Sequence, residues 1–96
     1  MKTSVVYIMT NVGNTTFYTG VCSDLVKRGW EHKNGLGSEF TKKYKLSKLV
    51  YYEIHNDITE AIKREKQIKN LVRRKKVDLV NNSNADWKDL YPNLLG

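Results

Sequence analysis

Three β-rich segments and two amphipathic helical segments predict a mixed α and β domain, a three-stranded sheet covered by helices in the order β-β-α-β-α-α. Val5-Val6-Tyr7-Ile8-Met9 is β-branched and aromatic, the composition that fits a pleated, half-buried surface. Residues 11–15 carry turn chemistry, and a second β-rich run, Phe17-Tyr18-Thr19-Gly20-Val21, follows to complete a hairpin. Gly20 within that run marks a close backbone approach or a bulge. Ser23 or Asp24 can cap a helix over residues 25–33, with Leu25, Val26, Gly29 and Trp30 as its buried side. Residues 34–38 stop it, and one short helical turn is expected within residues 39–45. Residues 49–54 make the third strand. Asp57 and Glu60, three apart, resemble a capping box that opens a long helix over residues 58–72. Val77, Leu79 and Val80 continue as another short helix. A loop over residues 81–84 leads to a tail whose Trp87, Leu90, Tyr91, Leu94 and Leu95 can pack back on a core spanning residues 4–80. The spacing leaves parallel or antiparallel pairing of the third strand open.

Ninety-six residues make one small domain with a compact core, so a substrate should be met in a surface cleft. The chain is 40% hydrophobic and 28% charged, which argues against disorder. Seventeen Lys and Arg against ten acids give a formal charge of +7, with pI ≈ 9.6. That balance favours polyanionic partners, meaning nucleic acid or anionic membrane. No apolar run approaches the ~20 residues of a membrane span, and Met1-Lys2 leads into only a short apolar strand, so a secretory signal is not expected. Cys22 is alone, which fits a reducing cytoplasm and a small buried hydrophobe. Two His and one Cys are too few for a structural zinc site.

Four groups of residues can carry chemistry. Glu65 falls within the apolar stripe Ile58, Ala61, Ile62, Ile68 and Val72, where a carboxylate needs a cation, a basic side chain or a metal ion. Arg28 and His32, four apart, are neighbours on one helix edge. The Arg fork suits phosphate oxygens, and His moves a proton near neutral pH. Tyr7 and Tyr18 stand on adjacent strands, where a nearby cation can make a phenol useful to a water. Lys63, Arg64, Lys66, Lys69, Arg73, Arg74, Lys75 and Lys76 crowd residues 63–76, enough positive charge to track a nucleic-acid backbone without reading bases. Tyr44, Tyr51 and Tyr52 can stack on bases where they reach the surface.

Taken together, Val5-Val6-Tyr7, Tyr18-Thr19-Gly20, Arg28, His32 and Glu65 resemble the GIY-YIG nuclease superfamily, closest to its small single-domain bacterial members. The tail Asn84-Ala85-Asp86-Trp87-Lys88-Asp89-Leu90 is similar to the Asn-Pro-x-Trp-x-Asp-Leu ending of those members, with Ala85 in the Pro position. Val-Val-Tyr replaces Gly-Ile-Tyr, and Thr19 replaces Ile, leaving both tyrosines in place. The resemblance implies an α+β fold with a mainly antiparallel three-stranded sheet, and metal-dependent hydrolysis of DNA phosphodiester bonds. Tyr7 and Tyr18 would be the motif tyrosines, with Tyr18 favoured as the one that activates water. Gly20 would let the backbone pass close to the site. Arg28 would hold the scissile phosphate and His32 would assist proton transfer. Glu65 would hold Mg²⁺ or Mn²⁺ and point into the sheet face where the tyrosines sit, with Asn84 as a further residue near the metal. A nucleic-acid-binding module of the same fold that does not cut is the alternative.

Overall fold

A computed structural model describes residues 3–96, which places the reading of Met1-Lys2 outside the described residues. The strands are β1 (Ser4–Thr10), β2 (Phe17–Cys22) and β3 (Lys48–His55), in the sheet order β2-β1-β3. Both pairings are antiparallel, so β1 is central and the chain crosses over it between β2 and β3. The helices are α1 (Leu25–Lys33), α2 (Glu39–Lys43), α3 (Ile58–Asn70), α4 (Arg73–Ser83) and α5 (Tyr91–Leu94). Among the described residues no helix is long and apolar enough to cross a membrane.

Alternation along β1 sorts the core into two layers. Val5, Tyr7 and Met9 face Cys22, Leu25, Leu46 and Leu49. Val6 and Ile8 face Val50, Ala61, Ile68 and Val80. Helix α1 therefore covers the tyrosine face, while α3 and α4 cover the opposite one. The register shifts between Ile8 and Met9, whose partners are Tyr51 and Leu49. Val50 is the extra residue of this bulge and joins the α3 layer.

Local signals set the helix starts. Asp24 caps α1 by accepting from Lys27 N at 3.1 Å. Asp57 caps α3 by accepting from Thr59 N at 2.8 Å, while Glu60 pairs with Lys63 rather than closing a capping box. The helix predicted over residues 58–72 ends at Asn70, because Leu71 and Val72 take extended backbone before α4 begins. Burial differs from the sequence expectation on both long helices. On α1 the buried residues are Leu25, Gly29 and His32, whereas Val26 and Trp30 are exposed. The helix is turned to present a polar ring to Tyr7. On α3 only Ala61 and Ile68 are buried, Ile58 and Ile62 are exposed, and Val72, beyond the helix, is exposed too.

The tail after α4 fastens to β3. As an edge strand β3 presents outward backbone groups that need partners. Asn84, 8% exposed, donates from Nδ2 to Val50 O at 3.1 Å and Lys88 O at 2.8 Å, and its Oδ1 accepts from Lys88 N at 3.1 Å. Asp89 accepts from Leu49 N at 3.1 Å, and Leu90 N donates to Leu49 O at 2.7 Å. Lys33 of α1 pairs with Asp89, which ties the same clasp to the first helix. Trp87 stacks on Phe17 with ring centroids 5.7 Å apart.

Replacing Asn84 would strand a buried strand carbonyl along with two tail groups. Asn84→Ala should destabilise the fold by roughly 2 kcal/mol, the cost of unmaking buried hydrogen bonds with their desolvation unrecovered. Thermal unfolding followed by circular dichroism should then show a midpoint lower by about 10 °C for a domain of this size.

Candidate active site

Tyr7 stands in the middle of the sheet at 0% exposure. Its strand partners are Gly20 on β2 and Tyr52 on β3, and residues directly opposite share a face. A buried phenol needs hydrogen-bond partners. Two come from α1, one turn apart. Arg28 Nη1 donates to the Tyr7 hydroxyl at 3.4 Å, and His32 Nε2 lies 3.2 Å from it. The spacing of four lets Arg28 and His32 reach the same oxygen from one helix face. Burial pushes the Tyr7 phenol well above its ordinary value, against the smaller lowering effect of Arg28. Burial pulls His32 below 6.5, and the Arg28 charge adds to this, so its ring is neutral at neutral pH.

Tyr18 joins the cluster from the edge strand. Its ring lies 6.3 Å from Tyr7 and 5.8 Å from His32, centroid to centroid. Gly20 makes this possible, since a Cβ there would meet the Tyr7 ring at 2.6 Å and the Tyr18 ring at 2.9 Å. The two tyrosines differ in access. Tyr7 is sealed, whereas Tyr18 lines an open cleft of ≈ 210 Å³ with Arg28, Glu31, His32, Leu36, Gly37 and Ser38. Arg28 Nε also pairs with Glu31 at 3.3 Å, which holds the guanidinium at the cleft wall. A larger depression of ≈ 520 Å³ lies among Thr3, Ser4, Ser23, Asn56, Asp57 and Ile58. Its one carboxylate, Asp57, is engaged in capping α3, so the tyrosine cleft is the place where reactive groups gather.

Glu65 departs from expectation. It does not point into the tyrosine face, because α3 packs its Ala61 and Ile68 on Val6 and Ile8, the other side of β1. Arg64 and Glu65 diverge by about 100° around the helix and flank the Ala61–Ile68 stripe on opposite sides. Arg64 reaches β3, donating to Glu53 from Nε at 3.0 Å and Nη2 at 3.0 Å. Glu65 therefore lies on the flank turned toward β2. Its carboxylate, 15% exposed, pairs with the more exposed Lys69 at 3.4 Å. Among the described residues no three His, Cys, Asp or Glu side chains gather into a metal cage. One carboxylate with a loose, displaceable lysine still fits Mg²⁺, which keeps several waters and takes one or two carboxylates along with substrate phosphate oxygens.

The basic run also divides. Arg64 is locked to Glu53, whose carboxyl is held below its usual range because hydrogen bonds from Arg64, Tyr51 and His55 outweigh the opposing effect of burial. Arg73 turns inward, donating to Asn14 O and Thr15 O at 3.3 Å and 2.8 Å and covering the Phe17 ring at 4.4 Å. Lys63 pairs with Glu60 at 3.6 Å. Among the described residues Lys66, Arg74, Lys75 and Lys76 form no ion pair. Asn84 is engaged with backbone groups, and none of its hydrogen bonds reaches the tyrosine cluster. Tyr51 lies in the α3 layer and donates to Glu53. Tyr52 shares the Tyr7 face and is partly exposed.

Sequence reasoning missed two residues around the cleft, Phe40 and Thr41, and named Tyr44 for base stacking without its place there. Phe40 and Tyr44 of the α2 segment, each 44% exposed, pack at 4.8 Å and extend the aromatic surface from Tyr18, 6.4 Å from Phe40. Thr41, between them, is buried against His32 Nδ1 at 3.2 Å. The sequence signal available was the α2 turn itself, with Phe40, Thr41 and Tyr44 at i, i+1 and i+4.

Comparison with known proteins gives a consistent result. The family described as the GIY-YIG catalytic domain matches residues 3–78. A UPF0213 protein of Staphylococcus saprophyticus is 42% identical over 65 residues, covering 68% of this chain and 79% of its own. A UPF0213 protein of Staphylococcus aureus is 36% identical over 80 residues, covering 83% and 96%. The solution NMR structure of the UPF0213 protein BH0048 from Bacillus halodurans superimposes with a TM-score of 0.58 at 29% identity, covering 91% of this chain and 92% of that one. With its sheet, its paired strand tyrosines and a match across most of its length, the chain belongs to the GIY-YIG family.

Proposed function

We propose that the protein is a metal-dependent endonuclease that hydrolyses DNA phosphodiester bonds with low sequence preference, at the cleft beside β2. The observation that carries this reading is the hydrogen-bonded group Tyr7, Arg28 and His32, beside Tyr18 at an open cleft. Tyr7, buried, holds Arg28 and His32 in place. Arg28 meets the scissile phosphate and stabilises the charge that grows on its oxygens. Tyr18, at the cleft, orients the attacking water. The water oxygen bonds to phosphorus as one sugar–oxygen bond to phosphorus breaks. The proton lost by the water passes to His32 Nε2, neutral above its lowered pKa, which exchanges its Tyr7 hydroxyl partner for the water when substrate is bound, and a solvent water gives the departing sugar oxygen its proton. Glu65 would hold the divalent cation, Mg²⁺ or Mn²⁺, on the other side of the β2 edge. When bound, that ion supplies charge neutralisation at the phosphate oxygens. A substrate backbone would then wrap the exposed edge of β2, with Tyr18 and Arg28 on one side and Glu65 on the other.

Lys66, Arg74, Lys75 and Lys76 supply the non-specific hold on flanking phosphates. Phe40 and Tyr44 give bases a stacking surface next to the cleft. The non-cleaving alternative draws on one observation, the Lys69 ion pair that already occupies Glu65.

The deciding experiment is a cleavage screen with fluorescent DNA substrates of several shapes in Mg²⁺ or Mn²⁺. The protein should produce cut products, and Glu65→Gln and Arg28→Ala should each lower the rate at least ~10²-fold, the loss typical of removing one transition-state contact. Salt-dependent binding without products under every condition would favour the binding module instead. Cleavage should also depend on pH in a set direction. Protonation of His32 removes the proton acceptor, so the rate should fall on the acid side, with a midpoint below the ordinary 6.5. A midpoint above 6.5 would remove His32 from that role. For binding, Lys75→Ala and Lys76→Ala should each reduce the slope of log affinity against log salt by ~1. Arg64→Ala should instead lower thermal stability by freeing Glu53, with little change in that slope.

A further inference from the structure

A histidine that moves a proton must present the correct nitrogen, and the hydrogen bonds around His32 determine which nitrogen that is. Two of its neighbours have no choice of role. Ser38 O is a carbonyl and can only accept, and it lies 3.0 Å from Thr41 Oγ1. Arg28 is a guanidinium and can only donate, and it lies 3.4 Å from the Tyr7 hydroxyl.

Each fixed role propagates toward the ring from one end. The single Thr41 hydroxyl hydrogen goes to Ser38 O, so Thr41 Oγ1 meets His32 Nδ1 as an acceptor at 3.2 Å, and Nδ1 carries the hydrogen. From the other end, the Tyr7 oxygen accepts from Arg28, and its own hydrogen has His32 Nε2 as its partner at 3.2 Å. Nε2 is then the bare nitrogen. Both ends give the same tautomer; the reverse one strands the Tyr7 hydrogen and leaves Ser38 O with Lys42 N alone, while Ser38 Oγ, 3.2 Å from Thr41 Oγ1, can donate to it in either case. Packing holds the arrangement in place. Thr41 is 3% exposed, Ser38 caps α2 by accepting from Thr41 N at 3.2 Å, and a Cβ at Gly37 would collide with His32 Nδ1 and approach Thr41 Oγ1 at 2.6 Å.

We propose that Thr41 is a positioning residue that fixes His32 as the Nδ1–H tautomer, with Nε2 bare toward Tyr7 and the cleft. As a contribution to catalysis this rests on the nuclease reading above, but the tautomer itself does not. The α2 segment, which carries none of the motif residues, thereby becomes part of the site. Tyr7, Tyr18, Arg28 and Glu31 are the ionisable groups facing the ring from β1, β2 and α1, and Thr41 is its contact from α2.

The test is ¹⁵N NMR of the imidazole nitrogens in the metal-free protein, at a pH where His32 is neutral. The chain has two histidines, so His55→Gln assigns the signals. The unaltered protein should show Nδ1 as the protonated nitrogen and Nε2 as the bare one. Thr41→Val, nearly isosteric but without the hydroxyl, should lose that pattern, and Thr41→Ser should keep it. Where cleavage is measurable, Thr41→Val should lose roughly 10- to 100-fold in rate, as removal of an orienting partner of a functional histidine does, and Thr41→Ser should restore it to within a few-fold. An Nε2–H pattern in the unaltered protein overturns the proposal, even if Thr41→Val does not fold. An unchanged Nδ1–H pattern in Thr41→Val overturns the role given to Thr41. An Nδ1–H pattern that Thr41→Val loses, in a protein that cuts no DNA, upholds the tautomer assignment and sinks the nuclease reading alone.

Discussion

A phenol sealed at the centre of a small sheet is the constraint around which this molecule is organised. Tyr7 has no exposure to water, so its hydroxyl must find partners within the protein. Helix α1 supplies both of them, Arg28 and His32, and can do so only when its polar edge is turned to the sheet. That rotation leaves Val26 and Trp30 at the surface, an unusual outcome for large apolar side chains on a helix that has a core to cover. The same hydrogen bonds that satisfy Tyr7 also align Arg28 and His32 at one wall of the cleft. Stability and the layout of the cleft therefore draw on the same contacts here, and a change at Tyr7 affects both.

Charge is distributed with similar economy. The excess of basic side chains does not form one uniform patch. Arg64 and Arg73 are the two whose planar forks suit several fixed acceptors at once, and both serve the fold, bridging α3 to β3 and α4 to the β1–β2 turn. The lysines, point charges on flexible stems, are left mostly at the surface. Surface pairs such as Lys63 with Glu60 add little to stability. Their positive charge remains available to a polyanion, whose own charge competes well against such loose partners.

The edge strands on either side of β1 have different neighbours. β3 is covered by the tail, where Asn84, Asp89 and Leu90 satisfy its backbone groups. β2 has α1 on one face, where its Tyr18 and the α1 residue Arg28 line the cleft, and α3 on the other. Covering one edge and opening the other gives a short chain both a protected sheet and a surface cleft lined by Tyr18, Arg28 and His32.

Much of the fold was legible in the sequence, because the signals were local. The β-branched and aromatic run of β1, the Asp24 and Asp57 caps and the four-residue spacing of Arg28 and His32 each depend on a few neighbouring residues, and each corresponds to what the structure contains. The family resemblance was legible for the same reason, since its motifs are short. The sequence stripe on α3 could place Glu65 near a buried face but could not say which side of the sheet that face would meet. Nor could it show that Thr41 would reach His32 from a separate segment, that Asn84 would staple β3, or that Arg64 and Arg73 would turn inward. Periodicity and capping act within a turn or a strand, so the chain alone determined which elements form and which residues share a face. The choice of which faces meet belongs to the packing of distant segments, where buried polar groups must all find partners at once, and only the tertiary structure decided that.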